Sequence, residues 1–447
     1  MGAAGWLLIA YLAAITVIGK GPTYLGVPPV FLGEVVLLTS LAFLVDWKRD
    51  ALGLTDRLAP VSTLVILWFS VGLALTLANL QQYGLEAVRD GAIWYYSAFY
   101  FVGLSVGRSG RLADRYWRLF TYIWLAALVW GTAEYASGRR LSELGPEIPW
   151  RGVPIFFNAR DEVGQNLALG ALLVLLSSVY GSPWWRWPMR LLAIAGLALL
   201  AASEGRAVKL GLVAAFITIA AFAAAPRSLR LGRRALVMVA AAIPVALLCV
   251  LLVPDVAAKM QLDRFTEAAP SAAEGTAYWR LLWWQRLADE VFARNPLFGL
   301  GFGESLHYYH PALEKLNGDW MLRAPHNFNV TVLARMGLVG SFLWVAILAL
   351  GIGTLVVRAW RGRNHRFHIS PQRREELAFW AAMLLYCFVN SSFGVLMEGP
   401  VLGVWFWFAL GFSLGRSNGF DDLLRSRLST EIRKRFSSNT VVPSFSR

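Results

Sequence analysis

Long apolar runs separated by short polar turns set the pattern of this chain. The runs lie at roughly 3–19, 28–46, 60–79, 88–107, 116–136, 162–180, 188–202, 207–225, 235–253, 330–357, 376–395 and 400–415. Each is close to the length a helix needs to cross ~30 Å of hydrocarbon. The pattern therefore predicts an all-α polytopic membrane protein of about twelve transmembrane helices. Only Ser203-Glu204-Gly205-Arg206 separates 188–202 from 207–225, so this pair reads either as two spans or as one long broken helix. One stretch, 254 to about 330, departs from the pattern. It holds a helical run over 277–294, with Leu281, Leu282, Trp284, Leu287, Val291 and Phe292 as its expected apolar face. A glycine-punctuated turn follows, Asn295-Pro296-Leu297-Phe298-Gly299-Leu300-Gly301-Phe302-Gly303, and the stretch closes with Ala324-Pro325-His326-Asn327. The expected organisation is nine helices over 1–253, a large loop over 254–329, three helices over 330–415 and a basic tail over 416–447. Phe420, Leu424, Leu428, Ile432 and Phe436 recur every four residues in that tail. It reads either as an amphipathic helix on an anionic leaflet or as a disordered basic tail.

Composition supports the membrane reading. Hydrophobic residues make up 57% and charged residues 16%, with a mean hydropathy of +0.51; a soluble domain carries about a quarter charged residues. Twenty tryptophans supply material for aromatic belts at both interfaces. The net charge of +14 would suggest nucleic acid in a soluble protein. Here the basic residues concentrate in alternate loops, among them Lys48, Arg49, Arg57, Arg108, Arg111, Arg115, Arg227, Arg230, Arg358 and Arg361. Cytoplasmic loops carry that excess, which predicts both termini inside and residues 254–329 outside. The N-terminus lacks a charged n-region, so its apolar run reads as a retained helix. Cys249 and Cys387 fall inside spans and have no metal-site spacing.

Charged residues at membrane depth need a reason. Arg206 and Lys209 share one helix face at the start of an outer span; they read as a cationic clamp for an anionic group such as a lipid-linked phosphate, or as side chains snorkelling to the interface. Arg280 lies on the Trp-rich run beside Trp284, as a substrate contact or as part of an ordinary interfacial helix. His326 sits at the mouth of a span, where it could accept a proton or simply cap the helix. Glu398, in the last outer loop, either positions an acceptor or pairs with an arginine of the large loop. Arg89-Asp90 reads as a local ion pair. The spacing of Gly299, Gly301 and Gly303 is not that of a nucleotide loop and reads as a tight turn. His307 and His310, with His326, Glu304 or Asp319, read either as a metal site or, lacking a third ligand at fixed spacing, as surface histidines.

Taken in order, Arg280-x-x-x-Trp284, the 295–303 turn, Pro325-His326-Asn327 and Arg335-Met-Gly-Leu-Val-Gly340 resemble the O-antigen ligase and polymerase superfamily of bacterial membrane glycosyltransferases. The resemblance covers the chain in topology and is motif-specific from about Ser203 to Gly340. It implies a GT-C-like, metal-independent enzyme of the inner membrane with no cofactor. The donor would be a glycan on undecaprenyl diphosphate and the acceptor a sugar hydroxyl on another glycan, such as a lipid A–core. His326 would act as general base, and Arg206 and Arg280, with Lys209, would bind the diphosphate. Glu398, Asn327 and Trp284 are the expected acceptor-positioning residues. The chain departs from the family at Glu204, an acidic residue near Arg206. Diphosphate is a good leaving group, guanidinium groups can stabilise its developing charge, and direct attack would invert the anomeric carbon. The competing reading is a transporter of polysaccharide or solute. Paired interrupted helices in two related halves would mark it, whereas this chain gathers its polar residues in one late loop.

Overall fold

The computed structural model describes residues 2–27, 30–46, 58–137, 145–148, 152–156, 160–177, 183–202, 206–224, 276–307, 324–364, 371–394 and 396–417. The expected ninth span (235–253), the first part of the large loop, His310, Asp319 and the basic tail from 418 onward lie outside them. Within them the protein is all-α, apart from two two-residue hairpins, Gly26–Val27 with Val30–Phe31 and Glu147–Ile148 with Val153–Pro154. The longer helices are α1 (Ala3–Val17), α2 (Leu32–Leu44) and α3 (Ala59–Tyr83). After two short turns, α4 (Leu85–Asp90) and α5 (Ala92–Tyr95), come α6 (Phe99–Arg108) and α7 (Gly110–Ser137). Then follow α8 (Arg160–Ser177), α9 (Pro183–Ala202), α10 (Arg206–Ala224) and α11 (Thr276–Arg294). The last three are α12 (Phe328–Asn364), α13 (Pro371–Ser391) and α14 (400–417).

The apolar runs predict the positions of these helices to within a few residues, with one correction and one open choice decided. The run at 88–107 is not one helix. Gly84, at φ 55°, ends α3, and the chain then makes short turns until α6 begins. The pair at 188–202 and 207–225 forms two helices, α9 and α10, both packed on α8, with α10 lying mainly against α13. Among the described residues, two helical segments are long and apolar enough to cross a membrane, Ala59–Tyr83 and Phe328–Arg358; shorter apolar helices include Ala3–Val17, Leu32–Leu44 and Glu162–Leu176.

Glycine governs the tightest helix crossing. Gly103 and Gly107 of α6 face α14, where a Cβ would meet the Phe408 and Phe412 carbonyl oxygens at 2.2 and 2.3 Å. Gly411 and Gly415 of α14 return the contact against the Tyr100 and Leu104 carbonyls, at 1.9 and 2.4 Å. Two small-xxx-small stripes thus lie face to face, which lets two backbones touch where lipid gives no hydrophobic drive to association. Around this crossing Phe120, Trp124, Trp380, Trp405, Phe408 and Phe412 pack edge to face or tilted. Much of the tryptophan therefore builds the helix core rather than belts: Trp68, Trp124, Trp344, Trp380, Trp405 and Trp407 are fully buried.

Candidate functional site

The site is assembled from the junctions at one end of the bundle. Its foundation is the glycine turn. Gly299, Gly301 and Gly303 all have positive φ (72°, 83° and 90°), as a tight turn requires. This turn docks into a break in α12, where Gly337 has φ 61° and ψ −155°. Backbone bonds from Leu300 to the Ala334 carbonyl (2.7 Å), from Leu338 to Pro296 (2.9 Å) and from Val339 to Leu297 (3.0 Å) occupy groups that the broken helix frees. Arg335 secures the joint. Its guanidinium donates to the Gly301 carbonyl at 3.0 Å and to the Glu304 carbonyl, and pairs with Asp90 at 2.6 Å. Asp90 also accepts from the Gly303 amide at 3.3 Å. The expected Arg89–Asp90 pair is corrected: Arg89 pairs with Glu86 at 3.2 Å, while Asp90 reaches across the fold to Arg335. Consecutive helical residues point in different directions, whereas i,i+3 neighbours meet. Glu304 accepts from Arg294 and Tyr83, so its carboxylate stabilises the same joint.

Helix α11 packs on this platform through Trp283, Leu287 and Val291, against Leu300, Leu306 and Ala334. The expected apolar face is corrected accordingly. Leu281, Leu282 and Phe292 are exposed, and Trp283 rather than Trp284 is the buried ring. Both tryptophans donate to the loop they brace, Trp283 to the Leu306 carbonyl at 3.0 Å and Trp284 to the Pro325 carbonyl at 2.6 Å. Trp284 thus holds the peptide immediately before His326.

His326 is the only non-glycine residue with positive φ among the described residues, at 55°. Such a backbone stores about 1–3 kcal/mol and persists where surrounding contacts over-determine it. Here those contacts are the Trp284 bond on one side and the α12 cap on the other: the Asn327 side-chain oxygen accepts from the amides of Asn329 (3.0 Å) and Val330 (3.4 Å). Asn327 is therefore the capping residue that aims its neighbour. Burial, then Arg280, then Lys20 lower the His326 imidazole to about 4, so it is neutral at physiological pH and its nitrogen is free of a second proton. Arg280 also donates to the Phe393 carbonyl at 3.5 Å, which joins α11 to the turn after α13. That turn is tied to α12 twice more, by Asn329 to Ser392 (2.9 Å) and by Thr331 to Glu398 (2.6 Å). Burial pushes the Glu398 carboxyl up to about 7, while the Thr331 hydroxyl and nearby Arg335 act in the opposite direction.

The structure thus brings together His326, Arg280, Trp284, Asn327 and Glu398. Arg206 is the first residue of α10. Lys209, half-buried, donates to the Ala201 carbonyl at 2.8 Å and so closes the end of α9. Sequence reasoning missed Lys20, a cation that acts on His326. Lys20 lies in Gly19-Lys20-Gly21, between α1 and α2, and pairs with Glu162 of α8 at 3.0 Å. A Cβ at Gly21 would meet the Ile155 carbonyl oxygen at 1.7 Å, so a close glycine contact fixes the segment carrying this lysine. A lone lysine in a loop otherwise poor in basic residues was the available signal.

Compared with known proteins, residues 191–345 match the family model described as O-antigen ligase. The matched region runs from α9 into α12 and contains Arg206, Lys209, Arg280, Trp284 and His326. No curated protein sequence matches the chain. That match supports the resemblance to the O-antigen ligase and polymerase superfamily over residues 191–345.

Proposed function

We propose that the protein transfers a glycan from undecaprenyl diphosphate to a sugar hydroxyl at the outer face of the inner membrane, with His326 as general base. The observation that carries this reading is the left-handed, braced and neutral imidazole beside a guanidinium. A base must be deprotonated before the acceptor arrives, and burial with two nearby cations keeps this one so. The same cations suit the donor. Arg280, with Arg206 and Lys209 at the start of α10, binds the diphosphate and stabilises charge as the bond to C1 breaks. Once the diphosphate offsets the Arg280 charge, the imidazole becomes more basic, so donor binding prepares the base. Attack on the face opposite the leaving group inverts the anomeric carbon, and no metal is required. Asn327 and Trp284 hold His326 in place, and Glu398 borders the acceptor side.

The wider frame in this proposal is GT-C-like, with about twelve spans. Helices over 1–253 and 330–415 flank a catalytic extracytoplasmic loop at 254–329, and both termini and the 416–447 tail are cytoplasmic. The test is transfer by purified protein in detergent from an undecaprenyl-diphosphate glycan. His326→Ala should lower the rate by ~10²-fold or more, as expected for loss of a general base. Transfer that survives the substitution assigns the base elsewhere, with Glu398 first. The same assay separates polymerase from ligase, because a polymerase lengthens the lipid-linked chain with no other acceptor present.

A further inference from the structure

The Thr331 hydroxyl stands between two acceptors. Thr331 lies in the first turn of α12 and is buried, 5% exposed. Its Oγ1 is 3.2 Å from the Asn327 carbonyl oxygen and 2.6 Å from Glu398 Oε1. The longer contact is the back-bond a helical threonine makes to residue i−4. A threonine hydroxyl has one hydrogen to donate. If Glu398 is a carboxylate, Thr331 serves one acceptor and leaves the other. If Glu398 carries a proton, both bonds form at once: Glu398 donates to Thr331, and Thr331 donates to Asn327. The groups around Glu398 favour the second state. Arg335, one turn further along the same face of α12, acts on Glu398, but its guanidinium is paired with Asp90 at 2.6 Å and bonded to the Gly301 carbonyl. Asp90, at the end of α4, adds a like charge. The short turn Leu396–Glu398 also packs on α5 and α13. From α5 comes Tyr95, whose hydroxyl donates to Glu34 at 2.8 Å, and from α13 comes Tyr386, whose hydroxyl accepts from Asn390 at 3.4 Å. Arg280 of α11 donates to the Phe393 carbonyl. Among the described residues Thr331 is the one hydrogen-bond partner of the Glu398 carboxyl.

The bond matters because of where Asn327 lies. His326 is held through the carbonyls on either side of it, that of Pro325 by Trp284 and that of Asn327 by Thr331. We propose that Glu398 works as a neutral acid and is a positioning residue: by donating to Thr331 Oγ1 it leaves the Thr331 hydrogen to fix the Asn327 carbonyl, and with it the His326 base. Its part in the reaction rests on the transfer proposed above. Loss of the Glu398 proton to water turns the Thr331 hydrogen toward the carboxylate and releases that side of the His326 segment. Burial pushes the carboxyl up to about 7, so this change falls near neutral pH.

The experiment uses full-length protein in detergent with an undecaprenyl-diphosphate glycan and a sugar acceptor. It reads kcat over about two pH units on either side of neutrality for wild type, Glu398→Gln, Thr331→Val and Thr331→Ser. Wild-type kcat should fall about tenfold to a lower plateau as the pH rises through about 7, the factor one hydrogen bond contributes. A glutamine amide donates as the neutral acid does and cannot ionise. Glu398→Gln should therefore lose this limb and exceed the wild type on its alkaline plateau. Thr331→Val should stay near the lower plateau at every pH, and Thr331→Ser should restore both rate and limb. A Glu398 that acts as a base predicts the opposite, a rate that climbs through neutrality and is abolished by glutamine. That result overturns the proposal, as does a wild-type rate that is flat through neutrality or a limb that survives Glu398→Gln. Infrared difference spectra of the same proteins read the proton without any transfer. The wild type should show a protonated-carboxyl C=O band that disappears as the pH rises through about 7, is missing from Glu398→Gln and shifts in Thr331→Val. Absence of that band overturns the proposal whether or not transfer occurs. The band and its Thr331 dependence in a protein without transfer activity leave the neutral acid standing and remove the transferase reading, so the two fail separately.

Discussion

At the scale of single residues, the electrostatics around His326 set a pH prediction. Its imidazole lies near 4, lowered first by burial, then by Arg280, then by Lys20. If His326 is the base, as proposed, the free enzyme holds it neutral above that pH, and on the acid side kcat/KM should fall only as the pH drops through about 4. Arg280→Gln removes the larger of the two charges, so the imidazole regains protons more easily and the acid limb should move upward. It should stop short of the ordinary value of about 6.5, because burial remains. A pH–rate profile of wild type and variant checks this, and a limb that stays or moves downward contradicts it. A companion prediction concerns Asn327, whose side chain caps α12. Asn327→Ala should cost about 1 kcal/mol of stability and lower kcat, with Asn327→Asp restoring much of both, because either carboxylate or amide oxygen can accept the cap. His326 and Arg280 were visible in the sequence because their residue types and neighbouring motifs suggest the chemistry. The Lys20–Glu162 partnership was not, because pairing across 142 positions leaves no local trace, although the lone lysine itself stood out in its loop.

At the scale of elements, the two glycine-bearing motifs are halves of one joint. The 295–303 turn supplies positive φ values and carbonyls, and the Arg335–Gly340 segment supplies a helix break and a guanidinium that reads those carbonyls. The sequence displays both motifs but not their partnership, which is carried by backbone bonds that any residue type can make. Gly337→Ala tests the joint. A Cβ there would lie 2.5 Å from the Leu297 carbonyl, at a backbone conformation essentially reserved for glycine. The strain alone is about 1–3 kcal/mol, and the overlap adds to it. The variant should melt several degrees lower, and its 276–307 segment should become protease-sensitive. Arg335→Lys should do less to the melting temperature and more to activity. An ammonium replaces the Asp90 pair, but it cannot reproduce the fork that also reaches Gly301 and Glu304. The α11 register shows the limit of pattern reading: both tryptophans of the Trp283-Trp284 pair look equally fit for burial, and only the position of Leu300 and Leu306 makes Trp283 the inner one.

At the scale of the whole molecule, the site depends on junctions of six helices meeting at one end, so orientation in the membrane decides which compartment the chemistry serves. The opposite end carries its own clasp. Arg416 of α14, nearly buried, bonds Glu376 of α13 at 3.1 Å and also Asp114 of α7, while Arg358 donates to Ser417. The apolar runs made the helices legible and the alternation of basic loops gave them a direction. The face-to-face glycines of α6 and α14 went unread, because a pair of small-xxx-small stripes has no meaning until the two helices are known to cross. If the basic end is cytoplasmic, as the positive-inside tendency would have it, the His326 end faces outward, as the proposed transfer needs. Single cysteines at Ser305, exposed beside the site, and at Ser109, exposed in the turn between α6 and α7, test this in a background with Cys249 and Cys387 replaced. A membrane-impermeant maleimide applied to intact spheroplasts should label Ser305→Cys at once. It should label Ser109→Cys only after the membrane is permeabilised. The reverse pattern would turn the catalytic end to the cytoplasm. Labelling of both from outside would break the odd count of spans between the site and the basic loops, and with it the frame on which a twelve-span arrangement rests.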